Sequence, residues 1–205
     1  MNRTTLMKFG GISAFGSVVL FTISIVAYWV TGGLEFRAWV PLFSSIVCFW
    51  FVAAIAVYDY LAKPEYALAR VGLGFAILSI IILFLEATVW GADRMVLRVQ
   101  GSEDQAVLTE LRALFNTLHV MVLWFIGIWY ALWGAAFLRL GGRGRFIGTA
   151  MALVAIFHFG DYLLYRLGVT GMSEQIWHLG SQGFNLITYV LLGLLLLQES
   201  KVAKN

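Results

Sequence analysis

Three histidines and a few acids hold whatever chemistry this 205-residue chain performs. Glu86, His119, His158 and Asp161 each interrupt a long apolar run, and His178 lies near the end of another. An ionisable side chain in a bilayer costs at least a few kcal/mol, so each such residue marks a functional position by default. Their spacing is periodic. His158, Asp161, Tyr162 and Tyr165 stand at i, i+3, i+4 and i+7, on one face of one helix. His178, Gln182, Asn185 and Tyr189 follow at i, i+4, i+7 and i+11, and Arg112, Asn116, His119 and Tyr130 fall close to one face. Polar stripes turn away from lipid, so these faces are expected to converge with Glu86 on one cavity. The expected binding set is Glu86, Asn116, His119, His158, Asp161, His178, Gln182 and Asn185.

The leading expectation is a metal or haem site in a redox or metal-dependent role. His119, His158 and His178, with Glu86 and Asp161, supply nitrogen and oxygen donors suited to zinc, copper or non-haem iron. Asp161, one turn from His158, can ligate or orient the imidazole. Two histidines on different helices can instead clamp haem b, with Gly160, Gly180 and Gly183 giving room and Arg94, Arg98 or Arg166 meeting the propionates. No H-x-x-x-H, H-E-x-x-H or cysteine pair is present, so this expectation rests on a shared depth alone. Two alternatives come from other classes. One is a small-solute or proton-coupled carrier, in which Glu86 and Asp161 titrate with a histidine. The small size and the lack of an inverted repeat or paired broken spans weigh against it. The other is a structural accessory subunit whose polar residues merely bond helices together.

Other features are weaker. Trp124, Trp129 and Trp133 suit a cation-binding wall but read first as packing or lipid-facing surface. Cys48 is alone and reads as a small buried residue. Gly144 and Gly148 match G-x-x-x-G, a pattern frequent by chance. Ser13, Ser17, Ser24 and Tyr28 put a mildly polar packing stripe on the first span. No nucleotide or hydrolase motif is present.

The elements that must position these residues are membrane helices. The chain is 61% hydrophobic and 12% charged, with a mean hydropathy of +0.86. This excludes a soluble enzyme, a disordered chain, a disulfide scaffold and a nucleic-acid-binding domain. Charge-poor runs predict an all-α bundle of six spans in one domain, at about 9–32, 38–60, 66–91, 106–138, 146–167 and 175–198. The first run is too long for a signal-peptide core and reads as a retained span. Pro64 with Glu65 fits the first turn of span 3, Ser102 to Gln105 reads as a capping box, and Ser173 with Glu174 can cap span 6. Residues 93–101, mixing Arg94 and Arg98 with apolar side chains, read as a segment on the membrane surface. Gly141 to Gly144 reads as a tight helix–helix turn.

With six spans, nine lysines and arginines share the side of the termini and five face the other. The positive-inside rule then gives both termini to the cytoplasm of an inner membrane. Trp29, Trp39, Trp90 and Trp177 fall at the outer boundary on the same topology. That bias explains the surplus of +3 and the pI near 9.1 without nucleic acid. Lipids, and other membrane subunits, are the expected partners.

From Leu118 to Leu167 the chain runs an apolar helix, Phe137-Leu138-Arg139-Leu140-Gly141-Gly142-Arg143-Gly144-Arg145-Phe146-Ile147-Gly148, and a second helix ending Gly160-Asp161-Tyr162-Leu163. This resembles the span 4–loop–span 5 portion of a family of uncharacterised six-span bacterial membrane proteins. It departs from that pattern in having Gly144 where a proline is expected. The resemblance implies a bacterial inner-membrane bundle and brings no activity, cofactor or site residue.

Overall fold

The computed structural model describes residues 2–31, 36–99, 105–169, 171 and 180–202. They form six long helices: α1 (Arg3–Thr31), α2 (Phe36–Leu61), α3 (Tyr66–Val99), α4 (Gln105–Leu140), α5 (Gly144–Arg166) and α6 (Gln182–Val202). No strand occurs among the described residues. All six helices are long and apolar enough to cross a membrane, as the hydropathy pattern predicts. Side chains such as Phe146, Ile156 and Val19 are exposed because the surrounding solvent is lipid.

Two boundaries differ from expectation. Asp93 and Arg94 mark the end of apolar sequence but not of helix, since α3 runs unbroken to Val99 and leaves no separate surface segment. Charge takes a chain out of lipid, whereas only a cap or a breaker ends a helix. The Glu65 carbonyl accepts the first bond of α3 from Ala69 N at 2.9 Å, so Pro64 precedes the cap and does not occupy the first turn. α4 begins at Gln105 as the capping pattern implies, while Ser102 to Asp104 lie outside the described residues, as do Ser173 and Glu174. Between α4 and α5 the chain reverses through Gly141 (φ +70°) and Gly142 (φ +50°), left-handed conformations open to glycine at no steric cost.

Helices adjacent in sequence pack against each other, and α6 returns to α1, so the six close into a ring. Side chains from alternate helices meet across it. Trp50 of α2 stacks on Tyr189 of α6 at 5.8 Å, and Tyr60 of α2 stacks on Phe137 of α4 at 5.9 Å. Trp133 of α4, 1% exposed, donates its indole N–H to the Ala69 carbonyl of α3 at 3.2 Å. Lipid removes most of the hydrophobic drive between helices, so such close packing and interhelical bonds hold the bundle. Both Gly144 and Gly148 face α4 closely: a Cβ on Gly148 would lie 2.7 Å from Leu138 N and 2.8 Å from Gly134 O. The G-x-x-x-G match is a real helix contact.

Cys48 is exposed on α2, not buried as expected. A thiol is a weak enough hydrogen-bonding group to face acyl chains at little cost. At the end of the bundle carrying the termini, Arg3 pairs with Asp59 at 3.0 Å and Arg139 with Glu65 at 3.3 Å, and Arg143 bonds Gln198. The two ion pairs are partly exposed and each contributes about 0–1 kcal/mol.

Candidate intramembrane polar site

The site begins with one contact between neighbouring helices. Glu86 lies in α3 and His119 in α4, and His119 Nδ1 stands 2.8 Å from Glu86 Oε1. Their side chains are 12% and 25% exposed, so the pair is half-sheltered and still open to exchange. α4 and α5 supply an aromatic collar. Phe115 stacks on the His119 ring at 6.0 Å, and Tyr165 meets it edge-on at 5.9 Å.

The acid and histidine of α5 lie deeper. Asp161 is 1% exposed and His158 is fully buried. Asp161 acts electrostatically on His119, and His119 on His158, so the four groups form one electrostatic unit. The periodicity on α5 has the expected result: both residues face inward from one side of the helix. His158 Nδ1 lies 2.9 Å from the Val154 carbonyl, which requires an N–H at that nitrogen and leaves the lone pair of the neutral ring on Nε2. Its ring stacks on Tyr130 at 6.2 Å, and the Tyr130 hydroxyl pairs with that of Tyr189.

Not all of the expected set converges on this unit. Asn116 is exposed on α4, one turn before His119. Gln182 and Asn185 are buried, but Asn185 lines a separate small cavity with Ser17 and Trp50, on the side of the bundle made by α1 and α2. The α6 stripe is polar and inward-facing as predicted, yet it serves a second location. His178, Trp177, Arg94 and Arg98 lie outside the residues whose side chains are described, as do Trp29 and Trp39. Among the described residues, no three histidine, cysteine or carboxylate side chains stand close enough together to hold a metal ion. Trp129 and Trp133 are core residues at 2% and 1% exposure. Trp124 lies exposed against Phe159 and Tyr162, in line with the packing reading.

The Tyr130–Tyr189–Trp50 contact is the part of the interior that sequence reading missed. Its signals were the positions of Tyr130 on the α4 stripe and Tyr189 on the α6 stripe, neither of which encodes that the two meet. Below this layer, toward the termini, Trp133, Phe137, Met151, Leu192, Leu196, Val57 and Leu61 are buried, with Ser13 and Ser200 among them. Among the described residues no buried carboxylate or histidine lies in that half. Chemically, the Glu86–His119 pair can share a proton, while the interior toward the termini is mainly apolar. No protein-family model, curated protein or solved structure matches this chain.

Proposed function

We propose that this is a multi-pass inner-membrane protein with cytoplasmic termini, and that Glu86, His119, Asp161 and His158 form an outward-facing, proton-exchanging site for coupled movement of a small cationic solute. The observation carrying this reading is the Glu86–His119 contact at 2.8 Å inside the membrane-spanning region, with buried Asp161 in electrostatic reach. A pair holding one proton can trade that proton for a monovalent cation without changing the net charge in lipid, and the second carboxylate adds to the attraction for the cation. Phe115 and Tyr165 supply faces suited to an organic ammonium group. The lysine and arginine bias supports the topology.

Proton fluxes in dye-loaded proteoliposomes test the activity. Tetramethylammonium added outside is expected to drive protons out of vesicles carrying a trapped pH-sensitive dye, and this flux is expected to vanish in Glu86→Gln and Asp161→Asn. Proton efflux that persists in both variants, or a wild type silent to every quaternary ammonium ion, rejects the carrier. Sidedness has its own test in a Cys48→Ser background. A cysteine placed at Ser102 is expected to react with a membrane-impermeant thiol reagent in intact cells. Labelling only after lysis would invert the topology.

A second reading, a metal ion or haem in a redox or metal-dependent role, is favoured by the Val154 carbonyl fixing the His158 tautomer. Outer partners of this kind orient metal-ligating histidines. It predicts a Soret band, or near-stoichiometric copper, iron or zinc, in purified protein, lost in His119→Ala and His158→Ala. Colourless, metal-free, folded protein excludes it.

A further inference from the structure

We propose that the small cavity between α1, α2 and α6 is an internal hydration site that holds one water molecule at the middle of the membrane. Ser17, Phe21, Trp50, Asn185 and Tyr189 line it, and it has room for about one water. Asn185 is 5% exposed, and its Oδ1 has no hydrogen-bond partner among the described residues. Ser17 is 1% exposed, and its hydroxyl donates to the Ala14 carbonyl at 2.7 Å, so only oxygen lone pairs remain to it.

Those two facts define the occupant. Two acceptors at one cavity are met by a molecule with two protons to give, and water is the molecule of that kind for which the cavity has room. An apolar occupant would leave the Asn185 oxygen desolvated, at a cost of about 1–3 kcal/mol. A bare cation would have no carboxylate among the lining residues to balance it. The stacked Trp50 and Tyr189 rings, 5.8 Å apart and 11° from parallel, form the apolar wall. The site is built from α1, α2 and α6 and does not depend on the role given to Glu86 and His119.

Hydroxyl-radical footprinting by X-ray radiolysis of the full chain in mild detergent tests it, because a trapped water converts to a radical beside its nearest rings. Trp50 and Tyr189 are expected to be oxidised severalfold faster than Trp133. Asn185→Leu, which removes the acceptor and fills the void, is expected to bring Trp50 down to the Trp133 rate. If that variant does not fold, Ser17→Ala removes one acceptor at almost constant volume and is expected to lower the Trp50 rate. A wild-type Trp50 no more reactive than Trp133 means a dry or acyl-filled cavity and overturns the proposal. Undiminished Trp50 oxidation in the folded variant overturns it as well, since the radicals then come from bulk solvent.

Discussion

Gly148→Ala is expected to destabilise the bundle by about 2 kcal/mol or more, while Gly160→Ala on the same helix leaves it unchanged or stabilises it by up to about 1 kcal/mol. The two substitutions are chemically identical. At Gly148 the added carbon would meet backbone atoms of α4, Leu138 N at 2.7 Å and Gly134 O at 2.8 Å, and backbone cannot rotate out of the way. α4 and α5 must then separate along a seam that also includes Gly134, whose own Cβ would lie 3.2 Å from Gly148 O. A Cβ at Gly160 would meet nothing within 4 Å, so only the gain in helix propensity remains. Unfolding titrations in mixed micelles measure both. Equal stability for the two variants would mean that α4 and α5 do not touch at Gly148.

The second large effect concerns Glu86 and His119. Glu86→Gln and His119→Gln are each expected to cost about 1–3 kcal/mol, and the double variant less than their sum, with a coupling of about 1–2 kcal/mol. Neutral interhelical bonds in membranes average about 0.6 kcal/mol, and a charge-assisted one is roughly twice as strong. The coupling belongs to the state in which the pair holds a single proton. Additivity within about 0.3 kcal/mol would reduce the contact to coincidence.

The helices were legible because a bilayer demands about 20 residues without charge, and few other sequences satisfy that demand. Helix ends were less so. Hydropathy stops at Asp93 but α3 does not, because its backbone bonds are indifferent to whether lipid or water lies outside. Within the site, the inward face of α5 was legible from the i, i+3 spacing of His158 and Asp161. The meeting of Glu86 with His119 followed from a similar depth on neighbouring helices. The order of packing around the ring was not legible. It turns Asn185 toward Ser17 and Trp50, and no local pattern encodes which neighbour a helix face will meet. Tyr130 and Tyr189 are buried for the same reason, by contact between helices distant in sequence.

Ring closure has a consequence for biogenesis. α1 meets only α2 and α6 broadly, and its glycines are fitted to both, Gly10 against Ala56 and Gly11 against Leu197 and Gly193. α6 leaves the ribosome roughly 150 residues after α1, which at about 5–20 residues per second is an interval of about 8–30 s. During that interval one face of α1 has only lipid to pack against. Nascent chains halted before α6 are thus incomplete along that flank, where a membrane chaperone or a quality-control protease can distinguish an unfinished chain from a finished one.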